Sequence, residues 1–280
     1  METGQPSRTA LAAAAHRAAH QVLERGTIFP DPLAVRILGT AGKEAIRRAS
    51  GDPATRPLRL FIAVRSRFAE DACAAATGRG LRQVVVLGAG LDTSAYRLAG
   101  SGDIRIFEVD HPTTQAWKRE CLASAGIAPP PTLTFVPVDF SRETLGPALE
   151  HAGFNSWQRT FFTWLGVVPY LEEPSVLATL RYVASLAGGA DVVFDYANPL
   201  PPSAIHARAS ERKALTERVA RVGEPFKTYF ETEHLLTTLA DLGFSNVEDL
   251  GPAEIRARYF PSHRGSLSNE GGHLVHAATA

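Results

Sequence analysis

Residues 84–93, Val84-Val85-Val86-Leu87-Gly88-Ala89-Gly90-Leu91-Asp92-Thr93, constrain the fold more than any other stretch of the chain. A run of β-branched and aliphatic residues passes straight into Gly-x-Gly and then into a helical pattern. That order reads as a buried strand, a tight turn and a helix. Glycine lets a backbone take φ values other residues avoid and approach a ligand closely. Asp92 or Thr93 can cap the new helix. A Gly-x-Gly pair alone marks many turns, but the strand before it and the helix after it make a ligand loop the better reading.

Acids follow at telling positions. The next apolar run ends Ile106-Phe107-Glu108-Val109-Asp110, with Glu108 20 and Asp110 22 residues after Gly88. An acid at the end of a second strand is placed to bind the two hydroxyls of a ribose. The cofactor is therefore expected to contain a nucleoside. Dinucleotide loops carry a third glycine, where this chain has Thr93, and put a pyrophosphate at the helix N-terminus, where it has Asp92. Both departures favour a cofactor without phosphates, and S-adenosylmethionine is one. A third run, Leu133–Val138, leads to Asp139-Phe140. Asp139 can accept from an exocyclic adenine amine and Phe140 can pack on the ring. The competing reading of Asp139 is a cap on the following helix.

The rest of the chain alternates. Strand-like runs are expected at Gln83–Leu87, Ile104–Val109, Leu133–Val138, Thr160–Leu165, Asp191–Phe194, Ser245–Leu250 and His273–Ala277. Helical patterns lie between the first six, near 93–98, 112–125, 142–152, 174–187 and 231–242. Alternation of this kind predicts an α/β protein with a mostly parallel sheet covered on both faces. The last run follows the sixth with little helix between, as an antiparallel final strand would. Before the first strand, 8–25 and 57–79 read as helices, and 27–39 as a Pro-marked turn with a short helix. The expected division is an N-terminal helical extension, 1–80, packed on a core domain, 81–280, with an insertion at about 197–225.

Composition narrows the partners. The 280 residues carry 29 Lys+Arg and 29 Asp+Glu, a formal net charge of zero. A protein gripping duplex DNA through phosphates usually has a basic surplus, so no nucleic-acid partner is expected. No segment reaches the roughly 18 apolar residues of a membrane span, and no membrane partner is expected. Cys73 and Cys121 show no CxxC pairing and read as thiols in a reduced, cytoplasmic setting. His16 and His20 stand four apart on a helix, a spacing that can hold zinc. No third ligand accompanies them, and the pair reads as exposed, with no metal expected.

The strings QVVVLGAGLDTSAYRL (83–98), FEVDHP (107–112), VPVDF (136–140) and FFTWLGVVPYL (161–171), with FPDPLA (29–34), resemble the leucine carboxyl methyltransferase family. The resemblance is to its bacterial branch of S-adenosylmethionine-dependent methyltransferases, often found with secondary metabolism. It covers residues 27–200 well and the remainder loosely. It implies a class I methyltransferase fold of seven strands, the last antiparallel, with extra N-terminal helices. It further implies that Gly88, Ala89 and Gly90 line the cofactor tail, that Asp110 binds ribose with Glu108 nearby, and that Asp139 and Phe140 face adenine. An arginine of the helix before the first strand pairs with the cofactor carboxylate in such proteins. Arg65 is the first choice and Arg67 the second, since a guanidinium meets a carboxylate through two parallel hydrogen bonds. Leu165 stands where eukaryotic members have a cofactor-holding Glu, which weakens the case for a protein C-terminal leucine as substrate.

The expected reaction is O-methylation of a small-molecule acceptor, at a carboxylate or a hydroxyl. A carboxylate is already ionised at pH 7 and needs no base; a hydroxyl would gain from one. His151, His206 and His234 lie in segments that could border the site, but each reads better as surface or packing histidine. Tyr170 and Tyr196 sit at strand ends, where ligands bind in open α/β sheets, and either could touch substrate, although core or rim packing is the better reading of each. No catalytic residue is singled out, and the oligomeric state stays open. A nicotinamide-dependent oxidoreductase and a non-catalytic binding module remain as alternatives.

Overall fold

The computed structural model describes residues 7–99, 104–140, 142–199, 226–261 and 272–280. Three helices come first: α1 (Arg8–Leu23), α2 (Ala34–Gly51) and α3 (Arg56–Thr77). The alternating part runs β1 (Gln83–Leu87), α4 (Ser94–Leu98), β2 (Arg105–Asp110), α5 (Pro112–Ser124), β3 (Leu133–Pro137), α6 (Leu145–His151), β4 (Thr160–Trp164), α7 (Glu173–Ala184) and β5 (Ala190–Ala197). It ends with α8 (Thr232–Asp241), β6 (Asn246–Leu250), α9 (Pro252–Tyr259) and β7 (Gly272–Ala278). Most of the expected insertion, residues 200–225, lies outside the described residues.

The strands form one seven-stranded sheet in the order β3-β2-β1-β4-β5-β7-β6. β1 to β5 are parallel, and β7 enters antiparallel between β5 and β6. The central strands are continuous apolar runs because both faces are covered. Val85, Leu87, Phe107, Phe162, Trp164 and Phe194 face α6, α7 and α8, meeting Leu149, Leu180 and Leu235. Val84, Val86, Ile106, Phe161 and Val193 face the other way, onto Phe61, Val64 and Phe68 of α3. Side chains of this size stabilise by about 1.5–3 kcal/mol each when fully buried.

The N-terminal helices are tied into this core. Ala14 and Ala18 of α1 and Ile37 and Leu38 of α2 pack with Leu91 of the glycine loop and Leu122 of α5. Two expectations fail. The short helix after the Pro turn continues to Gly51 through a kink at Gly39 (φ 53°, ψ −128°). A helix, α9, also stands between the last two strands, where little was expected; its PAEIRARY sequence buries only Ile255. Among the described residues no helix is long and apolar enough to cross a membrane, and no cluster of metal-ligating side chains is found.

Candidate active site

The loop after β1 turns through left-handed φ at Gly88 (63°) and Gly90 (47°). A Cβ on Gly88 would lie 2.4 Å from Cγ2 of Val167, and one on Gly90 would lie 3.0 Å from Cβ of Ala10 in α1. Both positions therefore need glycine for conformation and for space. Ala89 is buried between them, and the amides of Gly88 and Ala89 donate to the Val109 carbonyl at 2.9 and 3.1 Å. Of the two expected caps, Asp92 serves α4: its carboxylate accepts from the Ser94 amide at 2.7 Å and from the Ser94 hydroxyl. Burial alone would raise the Asp92 pKa, but the charges of Arg17, Lys118 and Arg97 outweigh it and hold the acid below its usual range.

Thr93 has a different task. Its hydroxyl donates to Asp31 at 2.7 Å and accepts from Arg97 at 2.8 Å. Asp31, fully buried, also takes Arg17 at 3.1 Å and Arg97 at 3.2 Å, and Arg17 donates to the Leu91 carbonyl at 2.5 Å. The strings FPDPLA and GLDTSAYR thus meet in one buried network that fastens α1 to the glycine loop. Sequence reading found both strings but not their contact, which joins residues 62 apart along the chain.

Asp110 ends β2 beside the loop. Its carboxylate accepts from the Gly90 amide at 2.5 Å and from the His111 amide at 2.7 Å. Burial raises its pKa against the pull of those two amides. The Val138 amide donates to the Asp110 carbonyl at 2.9 Å, which draws the end of β3 alongside. Asp139 and Phe140 follow at once, and Phe140 is 57% exposed. Asp139 does not cap α6, whose N-cap is Thr144; instead its amide donates to Glu143 at 3.0 Å.

Glu108 was expected near the ribose, but it lies fully inside. The side chains of Glu108 and Asp110 share one face, yet Glu108 takes Lys118 of α5 at 2.5 Å, with both groups sealed from solvent. Burial lifts its pKa to about 7 against that cation. Its second oxygen, Oε1, has no hydrogen-bond partner. Glu108 therefore supports the strand end from within rather than facing a cleft.

Arg65 and Arg67 part company. Arg67 turns outward to Asp71 at 2.8 Å on the exposed face of α3. Arg65 points to the carboxyl ends of β4 and β5, where Nη1 donates to Asp195 at 3.1 Å. Asp195, unremarked in the sequence, also accepts from the Gly166 amide at 2.5 Å. Tyr196, the next residue, faces the opposite way by strand alternation. It is buried, its hydroxyl 2.9 Å from that of Thr232 and its ring 4.8 Å from that of His273. Tyr196 is thus a core residue, in line with the packing reading of it, and not the substrate contact that was its alternative. Tyr170 is half-buried after β4 with its ring edge-on to Phe226 at 5.1 Å.

Among the histidines, His151 and His234 are exposed and His206 lies outside the described residues. His273 pairs with Asp249 at 2.8 Å at the start of β7, a pairing with no sequence signal, since it is made between strands. His20 is not exposed: it is fully buried, its Nδ1 against Glu24 at 3.3 Å and its Nε2 accepting from the Phe29 amide at 3.4 Å.

A doubly wound sheet with a glycine loop after β1, a carboxylate ending β2 and an Asp-Phe pair after β3 defines a nucleoside-cofactor protein of the class I methyltransferase type. The leucine carboxyl methyltransferase model matches residues 10–184. YktD of Bacillus subtilis strain 168, named as an S-adenosyl-L-methionine-dependent methyltransferase, is 30% identical over 308 aligned positions covering 99% of each chain. A similarly named protein of Mycobacterium avium strain 104 is 33% identical over 227 residues, covering 77% of this chain and 73% of its own. A crystal structure from Thermobifida fusca shares the fold at TM-score 0.61 and 16% identity, covering 99% of this chain and 96% of that one. The chain belongs to the leucine carboxyl methyltransferase family and is an S-adenosylmethionine-dependent methyltransferase.

Proposed function

We propose that the protein methylates an oxygen of a small-molecule acceptor, a carboxylate or a hydroxyl. The observation that carries the cofactor part is the meeting of three strand ends. The Gly90 amide rests on the Asp110 carboxylate, and the Val138 amide rests on the Asp110 carbonyl. One short edge therefore brings together the glycine loop, Asp110 and the Asp139-Phe140 pair, the groups this reading assigns to the tail, the ribose and the adenine.

The residues present suit S-adenosylmethionine. Asp110 would accept from the ribose hydroxyls, Asp139 from the adenine amine, and exposed Phe140 would gain burial against the ring. Gly88, Ala89 and Gly90 form the tight turn along which the tail would lie, and Arg65 supplies a cation for its carboxylate. Bound there, the cofactor supplies an electrophilic methyl group on a cationic sulfur. The protein's part is to hold the acceptor oxygen in line with that methyl and to keep water out. A carboxylate acceptor arrives ionised at pH 7, so positioning suffices. Tyr170, beside the carboxyl end of β4, is the side chain we place nearest the acceptor. The resemblance to the bacterial branch suggests an acceptor from secondary metabolism.

Calorimetry with S-adenosylhomocysteine tests the cofactor seat: the wild type should bind, and Asp110→Ala should lose roughly tenfold or more in affinity, as expected for a charge-assisted hydrogen bond. No binding at millimolar ligand would sink the reading. Incubation with methyl-labelled cofactor and panels of carboxylic acids and phenols separates the acceptors. A label released as methanol by mild alkali marks an ester, and a label that stays marks an ether.

A further inference from the structure

We propose that Asp195 binds the ammonium group of the cofactor's amino-acid tail and forms, with Arg65, a two-charge clamp for a zwitterion. The inference rests on the S-adenosylmethionine reading above. It assigns a ligand role to a residue that has none in the motifs.

Three observations place the pair at the tail. First, it stands beside the glycine loop: Val167, which touches Gly88, follows Gly166, and Gly166 lies under Arg65 and donates to Asp195. A Cβ on Gly166, itself at φ 70°, would fall 2.6 Å from Arg65 Nη2. The backbone is bare there, and the guanidinium occupies the room. Second, a cavity lined by Ser66, Asp92, Ser94, Thr163 and Leu165 among others lies one residue along the chain from the pair, with neither Arg65 nor Asp195 in its wall. Ser66 and Leu165 are the chain neighbours of Arg65 and Gly166. Third, strand alternation decides which way the acid points. Phe194 and Tyr196 enter the apolar core on one face of β5, while Asp195 turns to the face covered by α3.

The charges then match. Arg65 and Asp195 neutralise each other at 3.1 Å with both side chains nearly buried. A buried charge without a partner is strongly unfavourable, so neither group can be left alone by an arriving ligand. A singly charged tail that drew one group away would strand the other, and a neutral tail has no charge with which to part the pair. A tail with a carboxylate and an ammonium satisfies both: the carboxylate takes the guanidinium, and the ammonium takes the carboxylate that the guanidinium releases. The Gly166 amide holds the Asp195 carboxylate in place throughout.

A cycle of two proteins and two ligands tests this by calorimetry. The ligands are S-adenosylhomocysteine and its desamino analogue, which keeps adenosine, sulfur and carboxylate but lacks the ammonium. The proteins are the wild type and Asp195→Asn. The wild type should bind the desamino analogue roughly ten- to a hundredfold more weakly than S-adenosylhomocysteine, the range of a charge-assisted hydrogen bond. Asp195→Asn should bind the two alike. A purely structural Asp195 would weaken both ligands equally and leave their ratio at the wild-type value, which overturns the clamp. Should the variant not fold, the wild type alone decides, since equal affinities for the two ligands also overturn it. A wild type that binds neither removes the cofactor reading and the clamp with it, whereas binding without discrimination removes only the clamp.

Discussion

A single methyl group at Gly88 meets two obstacles at once. The residue sits at φ 63°, and the new carbon would lie 2.4 Å from Val167 Cγ2. Positive φ costs a non-glycine residue roughly 1–3 kcal/mol, and Val167 must turn its side chain or shift to make room for the new carbon. Gly88→Ala should therefore fold with a lowered melting temperature and lose S-adenosylhomocysteine affinity by roughly tenfold or more. Scanning calorimetry with and without ligand reads both effects, and an unchanged ligand-induced shift would refute the assignment. Gly39 gives the contrast, because a Cβ there meets nothing within 4 Å; only its φ of 53° opposes substitution. At this scale the sequence was informative where chemistry demands a residue type, as at Gly88, Gly90 and Asp110. It was silent on Asp195, an acid within an apolar strand whose partners lie 29 and 130 residues away.

Elements were legible in proportion to their burial. The expected strand β1 agrees with the structure at both ends, because every residue of it is buried and glycine and charge bound it. Helix α2 was cut short because Gly39 reads as a stop although the helix resumes beyond its kink, and α9 was missed because Ile255 is its one buried residue and no apolar period marks it. The Ala-rich α1 misled differently: alanine fits inside or outside, and its periodicity did not reveal that Arg17 and His20 face inward. That seat has a measurable consequence. His20 is packed among Glu24, Arg59 and the Phe29 amide; burial lowers its pKa from 6.5, and the Glu24 carboxylate only partly opposes this. The folded state thus holds His20 neutral, while the unfolded chain binds a proton below pH 6.5. The stability tied to the neutral ring is complete above about pH 6.5 and is lost as pH falls below it. Urea titrations of wild type and His20→Gln between pH 7.5 and about 5 should show a steeper loss in the wild type. Parallel pH profiles would exclude His20 as a contributor.

For the whole molecule, the question is whether the N-terminal helices and the sheet respond to ligand as one body. The expected boundary near residue 80 is a place in the sequence, and the packing crosses it repeatedly. Arg17 of α1 grips the Leu91 carbonyl, Asp31 takes Arg97 of α4, and Arg65 of α3 meets Asp195 of β5. The glycine loop itself is covered by Ala10 of α1. A ligand held by that loop must stabilise the helix above it if the two open together. At a hundred times its dissociation constant, a ligand adds about 2.7 kcal/mol to the stability of everything that unfolds to release it. Amides of such a unit should exchange roughly a hundredfold more slowly. Hydrogen-exchange mass spectrometry with saturating S-adenosylhomocysteine should therefore slow peptides of α1 (Arg8–Leu23) together with those of β1 and its loop, by similar factors. If the loop slows while α1 exchanges at its ligand-free rate, α1 opens on its own despite the Arg17–Asp31–Arg97 network. Helix α1 would then be a cover that lifts off the glycine loop rather than a wall of the cofactor site.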